Sequence, residues 1–151
     1  LTFARPSIPV RQEVDLHETL RMAWSLLSHQ PGAGTVVFSL EGDGVKVQAD
    51  PHLLHQVWVN LFQNAVEAMP QGGKLRVSVN AGNRAVVEIS DTGTGIDPTH
   101  LTDLFRPFFS TKTRGTGLGL AISRKMIESH GGMIRVTSKP QEGTTVHVEM
   151  L

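Results

Sequence analysis

A two-layer α/β sandwich of the α+β class, with a long irregular loop at its rim, is the fold this sequence predicts. Three observations predict it. Strand-like segments alternate apolar and polar residues, so each needs one buried face. Three other segments carry helical apolar spacing and can cover that face. Between Thr92 and Thr116 a Gly-, Pro- and Phe-rich stretch shows no clear period, and an irregular run of that length in a compact domain points to function.

The elements follow in order. Residues 1–11, with Pro6 and Pro9, read as a linker entering a domain that spans 12–151. Val14 to Leu16 reads as a short strand. Leu16, Leu20, Met22, Ala23, Leu26 and Leu27 then mark a helix to Ser28, broken by Pro31-Gly32. Thr35 to Leu40 and Val45 to Gln48 read as strands around the Glu41-Gly42-Asp43-Gly44 turn. Asp50 suits an N-cap and Pro51 the first turn of the next helix, whose stripe is Leu54, Val57, Trp58, Leu61, Ala65 and Ala68. Pro70 and Gly72-Gly73 end it. Leu75, Val77 and Val79 line one face of the next strand, and Val87 and Ile89 the matching face of its successor. A helix from about Gly117 to His130 stops at Gly131-Gly132, and a hairpin of 133–138 with 144–150 closes the chain.

Composition narrows the function. The 151 residues carry 14 Lys plus Arg and 14 Asp plus Glu, a balance that argues against a general nucleic-acid binder. Cysteine is absent, which excludes disulfides and thiolate metal sites and fits a reducing compartment. No apolar run approaches the roughly 18 residues that span a bilayer. The chain starts at Leu1 and reads as a fragment, cytoplasmic itself, of a parent that is either soluble or membrane-anchored.

Four features carry chemistry. Asp91 keeps the parity of Val87 and Ile89, so a carboxylate points toward the face that helices bury. Either it opens the Thr92-Gly93 turn or it meets a polar ligand. Asn60 and Asn64 share a helix face with Gln56 and Glu67. They form either a solvated stripe or a pair of hard amide oxygens suited to Mg²⁺. Asp91-Thr92-Gly93-Thr94-Gly95-Ile96 is followed, after the loop, by Gly115-Thr116-Gly117-Leu118-Gly119-Leu120 at a helix start, where backbone N–H groups can meet phosphate. The second block follows a loop rather than a strand, which disfavours a Rossmann unit, and no Gly-Lys-Ser/Thr loop exists. Finally, three of the six phenylalanines lie within residues 105–109, beside Ser110-Thr111-Lys112. They pin the loop whatever its function, while Lys112 and Arg114 either reach phosphate or are solvated.

The order of these features resembles the ATPase domain of histidine kinases, gyrase and MutL-type proteins, the GHKL superfamily. Gln56 to Ala68 looks like its N box, Asp91 to Ile96 its G1 box, Phe105 to Phe109 its F box and Gly115 to Gly119 its G2 box; Gly143-Thr144-Thr145 also matches. The resemblance implies the Bergerat fold, a mixed, mostly antiparallel sheet covered on one face by three helices. It implies ATP and Mg²⁺ as ligands: Asp91 accepting from the adenine amino group, Asn64 holding the metal with Asn60 sharing it, and residues 97–114 forming an ATP lid. The nucleotide set it implies is Asn60, Asn64, Asp91, Gly93, Gly95, Ile96, Phe105, Thr111, Lys112, Gly115, Thr116, Gly117, Leu118 and Gly119, with Asn60, Asn64 and Lys112 serving the transfer itself. Gyrase- and MutL-type relatives carry a water-activating glutamate where Asn60 stands, so the resemblance is to the histidine kinases, and Asn-Ala-Val-Glu-Ala-Met is similar to the nitrogen-regulatory (NtrB-like) group. A true ATPase and a nucleotide-sensing module without transfer are the alternatives.

A kinase of this kind needs an acceptor histidine. His17-Glu18-Thr19-Leu20 lacks the following proline and long helical hairpin, so His17 reads as an ordinary helix-start residue. His52 and His55 read as a solvated pair, and His130 as a helix C-terminal residue where positive charge is favourable. Residues 1–6 resemble the end of a dimerisation hairpin. The implied partners are therefore a histidine-bearing dimerisation domain upstream and a response regulator downstream, with no nucleic acid and no direct membrane contact.

Overall fold

The computed structural model describes residues 8–101, 103–105 and 119–150. The elements run β1 (Gln12–Asp15), α1 (Leu16–Leu27), a 3-10 turn (Ala33–Thr35), β2 (Val36–Gly42), β3 (Lys46–Ala49), α2 (Pro51–Glu67), β4 (Gly73–Asn80), β5 (Ala85–Asp91), α3 (Pro98–Leu101), α4 (Gly119–Ser129), β6 (Met133–Lys139) and β7 (Gly143–Met150). Five strands form the main sheet in the order β2-β4-β5-β7-β6, parallel between β2 and β4 and antiparallel elsewhere. Helices α1, α2 and α4 pack in sequence, α1 on α2 and α2 on α4. This is the expected sandwich.

Both layers meet through the alternation. Leu75, Val77 and Val79 of β4 face inward beside Ala85, Val87 and Ile89 of β5, with Val148 and Met150 of β7 completing the floor. Burial of each such aliphatic side chain contributes about 1.5–3 kcal/mol relative to exposure. From above come Leu16, Leu20, Ala23 and Leu27 of α1, and Leu54, Val57, Trp58, Leu61, Phe62 and Ala65 of α2. The Trp58 indole is fully buried, yet its N–H donates to Thr19 Oγ1 at 3.1 Å, and that hydroxyl donates to the Leu16 carbonyl. Trp24, Phe38 and Phe62 form a neighbouring aromatic cluster, with Trp24 stacked on Phe38 at 4.8 Å.

The structure adds three features that the spacing left open. β2 and β3 flank the 41–44 turn but do not pair with each other. β2 continues into the main sheet, where Asp43 N–H still reaches the Val79 carbonyl, while β3 pairs antiparallel with β1 as a separate two-stranded ribbon. Period-two alternation defines a strand's faces and not its partner. Met22 and Leu26 are each 59% exposed, since they fall off the arc defined by Leu16, Leu20, Ala23 and Leu27. Pro98–Leu101 forms a short helix that four residues cannot announce by period; Asp97 caps it, accepting from Thr99 N–H at 2.9 Å.

Candidate functional site

Helix α2 is placed by its start. Asp50 Oδ1 accepts from the N–H groups of His52 and Leu53, so the N-cap expected from sequence is made. Its Oδ2 accepts from Val10 N–H at 3.0 Å, which ties the entering segment to the same carboxylate. Burial alone would raise the Asp50 carboxyl, but the hydrogen bonds from Val10, Leu53 and His52 outweigh it and hold the group below its ordinary range.

Helix α4 lies antiparallel to α2, because the two are bonded at two levels. Near the start of α2, Asp50 N–H donates to His130 Nε2 at 3.0 Å. Farther along, Asn60 Nδ2 donates to Ser123 Oγ at 3.5 Å, a long bond to a fully buried hydroxyl. Asn64 lies four residues beyond Asn60, and Gly119 lies four residues before Ser123. At 1.5 Å per residue, each is displaced about 6 Å the same way. Asn64 and Gly119, the first described residue of α4, therefore stand at one level. Both asparagines are half-buried, as is Gln56, whereas Glu67 is exposed. The polar stripe thus turns from α4 at one end toward solvent at the other.

His130 corrects an expectation. It is buried, and its ring sits between two backbone groups: Nε2 accepts from Asp50 N–H, so Nδ1 must carry the proton it donates to the Met126 carbonyl at 2.7 Å. The helix C-terminus is closed instead by Gly131 N–H to Glu128 O and Gly132 N–H to Ile127 O. Sequence reading missed Ser123 altogether; the available signal was a lone hydroxyl one turn after the glycine block.

At the other end of the site, Asp91 ends β5 directly opposite Leu75, on the inner face that its parity predicted. The side chain is half-buried, and Oδ1 accepts from Gly93 N–H at 2.8 Å and Thr144 N–H at 3.3 Å. Burial pushes the carboxyl above its ordinary value, and these two bonds only partly oppose it. The turn-opening geometry is thus present, and both bonds use one oxygen.

The glycines beyond Asp91 have reasons that sequence did not reveal. A Cβ on Gly93 would stand 2.8 Å from the Ala68 Cβ and 2.5 Å from its carbonyl oxygen, while Thr94 N–H bonds that same carbonyl at 3.0 Å. Gly95 has φ of 71°, and a Cβ there would run into the Lys139 carbonyl oxygen. Ile96 N–H donates to Ser138 Oγ at 2.8 Å, and Gln141 N–H to the Thr94 carbonyl at 2.6 Å. Residues 93–96 therefore lace the end of α2 to the β6–β7 turn. Gly93→Ala should lower the melting temperature by roughly 5–10 °C, from an overpacking cost of about 1–3 kcal/mol. Thermal unfolding by circular dichroism checks this, and an unchanged midpoint would refute the close-approach explanation.

Phe105 packs against the core, with the Arg124 guanidinium over its ring at 5.3 Å, so the first F-box residue is pinned to α4. The candidates Thr111, Lys112, Gly115, Thr116, Gly117 and Leu118 lie outside the described residues, as do Arg114 and Phe108-Phe109. His17 sits in the first turn of α1, a 12-residue helix packed on α2.

Among the described residues no group of three His, Cys, Asp or Glu could hold a metal ion. A cation at the described part of this site would be held by amide oxygens, phosphate and water. That donor set suits Mg²⁺, and Asn60 and Asn64 can supply it.

Residues 49–151 match the family model described as histidine kinase-, DNA gyrase B-, and HSP90-like ATPase. Sporulation kinase E of Bacillus subtilis (strain 168) is 34% identical over 154 residues, covering 99% of this chain and 21% of that protein. Sensor histidine kinase ZraS of Klebsiella oxytoca is 37% identical over 147 residues, covering 95% of this chain and 32% of that protein. The chain thus spans about a fifth to a third of the length of these two relatives. Among solved structures, the catalytic domain of histidine kinase ThkA superposes with a TM-score of 0.83 at 33% identity, covering 93% of this chain and 94% of that one. ThkA in complex with its response regulator TrrA superposes with a TM-score of 0.78 at 30% identity, covering 93% of this chain and 41% of that one. By sequence and by fold, this chain belongs to the histidine kinase-, DNA gyrase B- and HSP90-like ATPase family, as a histidine kinase catalytic domain.

Proposed function

We propose that the chain binds Mg-ATP beside α2, under a lid of residues 97–114, and donates the γ-phosphoryl group to a histidine on a separate dimerisation domain. The observation that carries this is the antiparallel register of α2 and α4. It puts the half-buried amide of Asn64 level with Gly119, the first described residue of α4 and the last glycine of the glycine block. A helix start offers unpaired N–H groups to phosphate oxygens, and Asn64, supported by Asn60, would hold the metal. Magnesium, when bound, supplies neutralising charge across the phosphates. Asp91 takes the adenine amino group, with Gly93, Gly95 and Ile96 around the ring. Phe105, Thr111 and Lys112 belong to the lid, and Gly115, Thr116, Gly117, Leu118 and Gly119 to the phosphate contact.

The chemistry explains why an amide at position 60 is enough. A neutral imidazole attacks with its own lone pair, so nothing in this chain must first remove a proton. Water, by contrast, needs a base to become a good nucleophile. Asn60 is committed to Ser123 and carries no carboxylate, which favours transfer over hydrolysis. Residues 1–11 lead in from the dimerisation hairpin, and the phosphohistidine then serves a response regulator. The domain works in the cytoplasm, where ATP is supplied, without nucleic acid or direct membrane contact.

Incubation with γ-labelled ATP tests this. The chain alone should stay unlabelled, and label should appear on a histidine of a sensor-kinase dimerisation domain added in trans. Phosphohistidine on the isolated chain, or steady phosphate release with no transfer, would overturn the proposal.

A further inference from the structure

We infer that His130 is a positioning residue for phosphoryl transfer, which sets the register of α2 against α4 by clasping the backbone of Asp50. The inference rests on the kinase reading above. His130 is 2% exposed, and both ring nitrogens are engaged, Nδ1–H on the Met126 carbonyl at 2.7 Å and Nε2 on the Asp50 N–H at 3.0 Å. The ring therefore joins the last turn of α4 to the N-cap of the helix that bears Asn60 and Asn64.

Asp50 is a junction. Besides His130, it binds the first N–H groups of α2 through Oδ1 and Val10 N–H through Oδ2. Next to it, the Arg11 guanidinium donates to the Ser129 carbonyl at 3.2 Å. Entering segment, α2 and α4 thus meet at Asp50 and His130, which are buried, while Val10 and Arg11 reach Asp50 and Ser129 from the surface. A second bond between the two helices, Asn60 to Ser123, is long at 3.5 Å and sets the register less firmly than the histidine bond. A slide of α4 along α2 would carry its first described residue, Gly119, away from Asn64 while leaving Asp91 in place, because Thr94 N–H holds the Ala68 carbonyl at the end of α2. Loss of the clasp should therefore act on metal and phosphate more than on adenine.

Three measurements test this. In the unaltered chain at neutral pH, ¹⁵N NMR should show His130 protonated at Nδ1 and unprotonated at Nε2; the other tautomer would overturn the clasp whatever the chain does with nucleotide. His130→Leu keeps bulk but removes both bonds. Calorimetry should show Mg-ATP binding weakened about tenfold, and ADP binding with the metal chelated changed by less than about twofold. Equal losses for both ligands, or none for either, would reduce His130 to packing and refute the inference. His130→Gln can accept from Asp50 through its amide oxygen and donate to Met126 through its nitrogen, so it should restore the difference between the two ligands; behaviour like leucine would count against the clasp. If the unaltered chain transferred no phosphate in trans, the kinase reading would fall, while the tautomer would still decide whether the clasp exists.

Discussion

Asp91→Asn should weaken ATP binding by on the order of 10²–10³ and leave the folded chain as stable as before, or more so, at neutral pH. The two effects have one origin. Asp91 Oδ1 accepts from Gly93 and Thr144, and an amide oxygen can do the same. The amide nitrogen would then replace the second carboxylate oxygen and face the adenine amino group donor to donor. Burial meanwhile holds the Asp91 carboxyl above its ordinary value of 3.8, so its ionised form opposes folding at neutral pH. The sign follows from the proton balance. As pH falls through the raised folded value toward 3.8, the folded state takes up its proton before the unfolded state does, and stability rises. Asparagine should flatten that rise. ATP affinity of the unaltered chain should fall over the same range, because a protonated carboxyl is a poorer acceptor. Asp50 has the opposite sign: its depressed carboxyl stabilises the fold above 3.8, and that contribution is lost as pH falls through the folded value. Calorimetric titration and melting curves across pH check these expectations. An asparagine variant that bound ATP normally would remove Asp91 from the adenine site.

Asn64→Ala should reduce phosphoryl transfer to a histidine domain in trans by about 10²–10³, with ADP binding in the absence of metal changed only severalfold. Asn64 is half-buried and one turn beyond Asn60, level with Gly119, the first described residue of α4. Its amide oxygen is a hard donor where the metal would bridge to phosphate. Single-turnover transfer at saturating ATP isolates the effect from binding. Transfer within about threefold of the unaltered chain would move the metal elsewhere.

What could be read from sequence was local, and what could not was relational. Asp50-Pro51 announced α2 because capping chemistry acts over three residues, and the structure makes those bonds. The inward face of Asp91 followed from counting by twos from Val87, and its cross-strand partner is the buried Leu75. The partner of β2 was not legible, since it lies across a helix rather than across a turn. Ser123 and His130 are buried polar residues whose meaning depends on how two helices slide together, and no spacing within α4 reports that. Gly93 and Gly95 stood out as glycines, yet the reasons, the backbones of Ala68 and Lys139, are distant in sequence.

The parallel pairing of β2 with β4 has a kinetic consequence. The end of β2 at Gly42 and the start of β4 at Gly73 are separated by the segment that holds β3 and all of α2. The ladder cannot close until that excursion has looped back, and loop closure must be endured before any pairing rewards it. The excursion is itself the asparagine-bearing helix. The topology thus couples docking of the sheet's outer strand to placement of the helix that carries Asn60 and Asn64.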